Sequence, residues 1–421
     1  MRSSQNPSTA RVLLASLIGT TIEFFDFYIY ATAAVLVFPQ LFFPASDPAS
    51  ATLQSLATFA IAFFARPIGS AVFGHLGDRI GRKATLVAAL LTMGVSTVGI
   101  GLLPGYARIG VWAPALLALC RFGQGLGLGG EWGGAVLLAT EYAPPGRRAW
   151  YGMFPQLGAP LGFLASSGLF LGLTLTLGNA RFIAYGWRIP FIASSLLVIL
   201  GLYIRLQLSE TPVFQKAQAQ GQGLRFPLLS VLREHGGRVV AGTLIALPSF
   251  ALFYLMTVFA LSWGTSHLGY TRPEFLRLQM QGVVFFALTI PVSAVLAERY
   301  GRRRMMIGIS VAIWIYGGFL GPLLQEHAGL ALDLGLALMG LTYGPVGTVL
   351  AELFPTPVRY TGASLAFNLA GIFGASLAPY LATWLALHYG LGAVGAYLAL
   401  ACTLSLIACI RIQDSPRREL E

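Results

Sequence analysis

Residues 74–83 read Gly74-His-Leu-Gly77-Asp78-Arg79-Ile-Gly81-Arg82-Lys83, with three glycines, one carboxylate and three cations between two long apolar runs. The stretch returns in the second half as Ala294-Val-Leu-Ala-Glu298-Arg299-Tyr-Gly301-Arg302-Arg303. Asp78 maps onto Glu298, Arg79 onto Arg299 and Gly81 onto Gly301. Glycine permits a tight turn with φ > 0 and close approach of flanking helices. Cations beside membrane-length apolar segments mark the side that stays in the cytoplasm. A charged loop of any polytopic membrane protein would satisfy one copy; the repeat points to an internally duplicated architecture.

Working outward, the composition places the whole chain in a bilayer. Of 421 residues 56% are hydrophobic and 10% charged, with mean hydropathy +0.72. Ordinary soluble domains keep about a quarter of their residues charged. The net charge of +11 raises the question of nucleic acid, and the positions of the cations answer it. Numbering spans alternately from a cytoplasmic N-terminus puts twenty Lys and Arg at inner helix ends and five at outer ones, with Arg66 and Arg121 inside spans. That is the positive-inside asymmetry, so the charge is topological and nucleic-acid binding is not expected. Cys120, Cys402 and Cys409 lie within apolar spans, which indicates neither a disulfide framework nor a zinc site. The first apolar run is too long for a secretory core and contains acids, so it reads as a first helix.

Breaks between apolar runs predict twelve spans, at 12–38, 53–74, 84–103, 112–138, 152–176, 187–206, 239–262, 278–297, 304–324, 329–351, 361–385 and 391–411. The long polar stretch 207–238 divides the chain into a six-helix unit at 1–206 and another at 239–421. Further echoes support the halving. Glu141-Tyr-Ala-Pro144 precedes Arg147 and Arg148, as Glu352-Leu-Phe-Pro355 precedes Arg359; Glu210 and Pro212 follow the sixth span, as Asp414 and Pro416 follow the twelfth.

Charges inside spans cost about 2.5–3.5 kcal/mol even on the lenient insertion scale, so each needs a reason. Glu23 and Asp26 stand on the first helix, Asp26 about 22 Å from Arg11 and hence near the midplane. Arg66 lies about 12 Å from the inner turn on the second helix; Arg121 and Glu131 lie on the fourth. Two acids and two arginines from three helices make a plausible buried network. The bland alternative is a charge pair that holds helices together. The run Gly123-Gln-Gly125-Leu-Gly127-Leu-Gly129-Gly130 superficially matches a dinucleotide fingerprint, but no strand precedes it, and close helix packing accounts for it.

The decapeptide and its weaker copy resemble the signature loops of the major facilitator superfamily, between helices two and three and between helices eight and nine. Glu23-Phe-Phe-Asp26-Phe-Tyr, Phe64-Ala-Arg66-Pro67-Ile-Gly69, Gly129-Gly-Glu131-Trp132-Gly-Gly and Trp187-Arg188-Ile-Pro190-Phe resemble the metabolite:proton symporters of that superfamily, along essentially the whole chain. Many relatives carry Trp where Phe25 stands. The resemblance implies an all-α polytopic membrane protein of the major facilitator fold, with twelve transmembrane helices in two pseudo-symmetric halves. It implies proton-coupled symport of a small organic acid or zwitterionic metabolite across the bacterial inner membrane by alternating access, with both termini in the cytoplasm. Members carry shikimate, 2-oxoglutarate, citrate, or proline and betaine. Uncoupled facilitation or export is the alternative within transport, and a transport-inactive sensor the alternative outside it.

Within that frame Asp26 and Arg121 match the proton-coupling acid and arginine of proton-linked sugar porters, with Glu23 and Glu131 as further candidates. A carboxylate held by an arginine stays ionised until an anionic substrate competes for that arginine, which invites a proton. Arg66 and Arg121 suit a carboxylate through bidentate contacts. Tyr30, Gln156, Tyr254, Gln281, Tyr343 and Asn368 are expected to complete the binding site. Gly74, Asp78, Arg79, Gly81, Arg82, Glu141, Glu298, Arg299, Arg302 and Glu352 are expected to form a cytoplasmic gate whose ion pairs latch one conformation. No nucleophile–base constellation and no His-Glu-x-x-His spacing occurs, and the five histidines form no ligand cluster, so neither an enzyme, a cofactor nor a metal is expected. The protein is expected to act as a monomer, with substrate, protons and lipid as its partners.

Overall fold

A span in hydrocarbon must satisfy its own backbone hydrogen bonds, and apolar runs of this length do so as helices. The computed structural model describes residues 9–44, 48–80, 82–141, 143–144, 146–207, 227–355 and 358–411; within these, the side chains of 9–12, 74–80, 82–86, 137–138, 141, 205, 207 and 227 are outside the description. Among the described residues twelve helical units follow in order, nine of them (α1, α2, α5 and α7 to α12) long and apolar enough to cross a membrane: α1 Thr9–Leu36, α2 Pro48–Ile80, α3 Arg82–Leu102, α4 in two pieces Trp112–Gly129 and Trp132–Glu141, α5 Arg148–Arg181, α6 Arg188–Gln207, α7 Gly236–Ser266, α8 Arg272–Tyr300, α9 Arg302–Glu326, α10 Ala328–Glu352, α11 Arg359–Tyr389 and α12 Leu391–Arg411. The helices overrun the predicted spans at several ends, because a helix continues past the hydrocarbon edge. A short helix, Pro227–Glu234, leads into α7; most of the predicted 207–238 connector lies outside the described residues.

Packing repeats with a period of six helices. In the first half α1 packs on α5, α2 on α4 and α3 on α6; in the second, α7 packs on α11, α8 on α10 and α9 on α12. The halves meet through α5 against α8 and, by the same operation, α11 against α2. Two pseudo-symmetric six-helix halves therefore enclose a central seam lined by α1, α2, α4, α5 and their counterparts. At the second signature loop Gly301 adopts φ +91°, the conformation glycine was expected to supply; Gly81 lies outside the described residues.

The glycine run of α4 is a packing surface. A Cβ on Gly125 would collide with the Ala62 carbonyl, and one on Gly129 with the Arg66 carbonyl. Neighbouring backbones thus come into contact, as membrane helices do where small residues face each other. One detail departs from the sequence reading. The expected continuous fourth span is interrupted at Gly130–Glu131, where the Gly130 and Glu131 amides donate to Gly127 and Leu128 carbonyls three residues back. Successive glycines weaken the helix there, and the tightened turn releases carbonyls that other helices capture.

Candidate functional site

The buried charges sit in two linked groups at the seam. Asp26, wholly buried on α1, accepts a 2.5 Å hydrogen bond from Ser194 of α6 at Oδ1 and a 3.4 Å one from Thr97 of α3 at Oδ2. Thr97 Oγ1 accepts from Gln124 Nε2 at 2.8 Å, and Gln124 Oε1 accepts from Arg121 Nη1 at 2.9 Å. The guanidinium and amide donors of this chain run toward the carboxylate, and the single hydrogen of the Thr97 hydroxyl has two acceptors in reach, Asp26 Oδ2 and the nearer Met93 carbonyl at 2.9 Å. The expected direct Asp26–Arg121 ion pair is therefore replaced by a relay through two side chains. The physical reason is the company Arg121 keeps. Its guanidinium carbon lies 4.0 Å from the Tyr30 ring centroid, 4.4 Å from Phe27 and 4.9 Å from Phe59, and Nε donates to the Phe59 carbonyl at 3.4 Å. Desolvated contacts of this kind contribute about 2 kcal/mol or more, enough to hold the arginine away from the acid. Its Nη2 has no hydrogen-bond partner among the described residues.

The second group joins α1 to α2. Arg66 Nη2 lies 3.8 Å from Glu23 Oε1, both side chains being almost fully buried, and the guanidinium carbon lies 5.4 Å from the Phe27 centroid and 5.5 Å from Phe63. Glu131, on the other side of the α4 break, is buried as well.

Between the halves an aromatic box closes over a cavity of about 20 Å³, room for about one water. Phe24 and Tyr28 of α1 face Phe250, Phe253 and Tyr254 of α7 and Tyr343 of α10 across it. Of the expected binding residues, Tyr254 and Tyr343 line this box. Tyr30 lies behind it, stacked under Arg121 and donating to Thr58 at 2.9 Å. Gln156 bridges the halves beside it: Nε2 donates to the Tyr343 carbonyl at 2.9 Å, and Oε1 accepts from Trp132 at 3.3 Å. Asn368 donates to Ser70 Oγ at 2.9 Å, joining α11 to α2. Gln281 does not reach the seam. It is exposed and donates to Asp333 at 2.7 Å on the outer flank of α8 and α10. Gln279, two positions earlier and on the opposite helix face, is the inward one, donating to the Met256 and Thr257 carbonyls.

At the end of the seam that carries the signature loops the halves are closed by a dense set of contacts. Trp132 stacks on Phe367 with centroids 3.6 Å apart and planes 4° from parallel. Tyr360 donates to the Gly130 carbonyl at 3.0 Å, and Ser70 to that of Gly129, so the α4 break is where α2 and α11 dock. Among the expected gate residues, Glu298 accepts from the Trp150 amide at 3.0 Å across the seam, at the positive N-terminal end of α5. Arg302 pairs with Glu352 at 2.7 Å within the second half, one of the pairings the sequence pattern anticipates. Arg299 is exposed and lies over the Tyr300 ring instead of a carboxylate. Gly81 and the side chains of Asp78, Arg79, Arg82 and Glu141, like the surroundings of Gly74, lie outside the described residues.

Sequence reasoning missed the relay and most of the box. Gln124 had a usable signal, since it stands three residues after Arg121 and hence one turn along the same face. Ser194 and Thr97 had none, being single hydroxyls in apolar helices that more often bond their own backbone.

The sequence profile of the Sugar (and other) transporter family matches residues 12–223 and 246–421. The chain is similar to the inner membrane metabolite transport protein YhjE of Escherichia coli (strain K12), at 57% identity over 98% of this chain and 96% of that protein. It is also similar to the shikimate transporter of the same organism, at 34% identity over 97% and 95%. Among solved structures, the partially occluded inward-open conformation of the xylose transporter XylE from E. coli superposes with a TM-score of 0.74 over 96% of this chain and 97% of that one, at 17% identity, a likeness of fold. The buried charges, the aromatic seam and the duplicated helices thus belong to a membrane transporter and not to an enzyme: the chain is a member of the sugar (and other) transporter family of the major facilitator superfamily.

Proposed function

We propose that this protein is a proton-coupled symporter that carries a small organic acid or zwitterionic metabolite across the bacterial inner membrane by alternating access. The observation that carries the reading is the donor chain from Arg121 through Gln124 and Thr97 to Asp26, one layer of aromatic rings from a cavity between the halves. An anionic group that engages Arg121 through its unpartnered Nη2 draws the guanidinium off Gln124. The relay then loses its charged donor, Asp26 loses support for its negative charge and takes up a proton, and the neutral site is cheaper to enclose in hydrocarbon. Release of proton and substrate on the other side restores the chain of donors.

In this reading the units at 1–206 and 239–421 rock about the seam, joined by the 207–238 connector, with both termini cytoplasmic and the single chain sufficient for transport. The Trp132–Phe367 stack and the contacts at the α4 break hold the inner side shut, helped by Glu298 at the α5 terminus. Asp78 and its arginines play the matching part in the first half. The relatives' names as metabolite and shikimate transporters support the cargo class.

The test has two stages. Purified protein is screened for thermal stabilisation by shikimate, 2-oxoglutarate, citrate, proline and glycine betaine. Uptake of the best binder into proteoliposomes is then measured with and without an imposed proton gradient. Symport requires uphill accumulation that collapses with the gradient. Asp26→Asn should abolish it while sparing exchange, and Arg121→Ala should damage both. Full gradient-driven accumulation by Asp26→Asn would refute the coupling role and direct attention to Glu23 or Glu131.

A further inference from the structure

We propose that Gln156 is a positioning residue that ties the aromatic box to the Trp132–Phe367 stack, so that a cargo widening the box loosens the closure at the signature-loop end. This role rests on the alternating-access reading and not on proton coupling.

Both polar ends of Gln156 are committed. The side chain is wholly buried on α5, one turn before Ala159, and does not itself line the cavity. Its Oε1 accepts from Trp132 Nε1 at 3.3 Å within the first half, and its Nε2 donates across the seam to the Tyr343 carbonyl at 2.9 Å. An indole N–H only donates and a carbonyl only accepts, so the amide fits in one orientation alone. Among the described residues Trp132 Nε1 has no other hydrogen-bond partner. A second line of contact runs to the same stack. Phe250 lines the cavity and lies 4.7 Å from Phe367 with the planes at 60°, and Phe367 stacks on Trp132. Phe250, Phe367, Trp132, Gln156 and Tyr343 therefore form a closed circuit that begins and ends in the cavity wall.

The cavity of about 20 Å³ holds about one water, so any organic cargo must part its walls. One wall is Phe24, Tyr28 and Ala159 of the first half; the other belongs to α7, α8 and α10 of the second. Parting them moves Ala159 away from Tyr343, and the Gln156 bond spans that gap one turn away. An N–H···O bond leaves its usual range beyond about 3.2 Å, so a displacement of a few tenths of an ångström is enough to weaken it. The second half can yield there, because Gly344-Pro345 follows Tyr343 on α10. Proline removes the hydrogen bond to the carbonyl four residues back, and helices bend at such points. Once Tyr343 withdraws, nothing pins the amide against Trp132 Nε1, and Phe250 draws Phe367 off the indole face.

The linkage can be measured without cargo or proton gradient. Ala159→Leu adds three carbons to a space that holds one water and stands in for an occupant. The reporter is a cysteine at Ser364, which faces Gly133 across the closure, with Cys120, Cys402 and Cys409 replaced by alanine. Maleimide labelling rates of the purified full-length chain are compared for the reporter protein, Ala159→Leu, Gln156→Met and the double variant. Methionine keeps the length of glutamine and removes both polar groups. With Gln156 present, Ala159→Leu should raise labelling about fivefold or more, the lower end of coupling between sites. In the Gln156→Met background the same change should stay within about twofold, the range of independent sites. A glutamine that only fills space would shift the baseline and leave the Ala159→Leu ratio intact. Melting curves and circular dichroism exclude unfolding as the source of labelling. Where a variant does not fold, Ala159→Val gives a smaller push and Gln156→Leu a second apolar replacement. An equal rise in both backgrounds would overturn the assignment and leave the linkage to Phe250, and no rise in either would overturn it by separating the box from the closure. Either failure leaves symport untouched, and a failed uptake assay leaves this linkage standing.

Discussion

Gln124→Leu offers the sharpest test of the relay. The substitution keeps a branched side chain one atom shorter and removes both polar atoms that join Arg121 Nη1 at 2.9 Å to Thr97 Oγ1 at 2.8 Å. One charge-assisted hydrogen bond, about 1.5–3 kcal/mol, and one neutral bond, about 0.5–1.5 kcal/mol, disappear together. If the relay carries the communication between the two ends, the coupling free energy between ligand at Arg121 and proton at Asp26 falls by about 2–4 kcal/mol. At 1.4 kcal/mol per decade that is at least a tenfold loss of mutual effect. The assay is proton uptake on ligand addition, followed with a pH dye in weakly buffered detergent solution, using the ligand that best stabilises the protein. The parent protein should take up protons on binding, whereas Gln124→Leu should bind with little uptake. A double-mutant cycle with Asp26→Asn checks the route, because Gln124→Leu should add almost nothing once the acid is gone. Undiminished proton uptake by a folded Gln124→Leu protein would refute the relay and restore a direct Asp26–Arg121 interaction in another state of the cycle.

Other perturbations separate the inner closure from the binding site. Trp132→Ala removes a ring stacked 3.6 Å from Phe367, worth about 0.5–1.5 kcal/mol beyond area burial, and should raise labelling of a cysteine placed at Ser364 several-fold; unchanged labelling would mean the stack does not hold the gate. Arg302→Ala breaks a pair in which both partners are about 30% exposed, so the melting temperature should barely move, in line with less than about 1 kcal/mol. Asp78→Asn should likewise leave the protein folded while opening the inner mouth, and identical transport rate and accessibility in the variant would reduce that loop to a topological marker. Single cysteines at Ser46 and Gln218 should react from outside and only from inside, respectively; the reverse pattern at both would invert the topology. Gln281→Leu, at an exposed contact with Asp333, should leave ligand affinity unchanged, and a large loss would put that flank back in the site.

How much of this was readable beforehand differs by level. The helix count, the duplication and the transporter family were open to a reader of the sequence because each depends on local chemistry. An apolar run must close its own hydrogen bonds in lipid, and the glycine-rich loop with its cations repeats as a linear pattern. The same holds for Asp26, Glu23, Arg66 and Arg121, whose burial cost makes them conspicuous wherever an apolar segment contains them. Their partners were not readable in this way. Whether Arg121 meets Asp26 directly or through Gln124 and Thr97 depends on three aromatic rings contributed by α1 and α2, which hold the guanidinium back. Whether Gln281 or Gln279 faces the seam depends on how α8 is rotated, which two positions on one helix do not reveal. The break in α4 was half legible, in its glycines, but its use as a dock for Ser70 and Tyr360 required α2 and α11 to arrive there. Sequence alone therefore determined which groups had to be buried and how often the chain crosses the membrane, since those are costs charged residue by residue. The tertiary structure decided which buried groups touch, since contacts between helices distant in the chain are set by packing angles and rotations that no local pattern encodes.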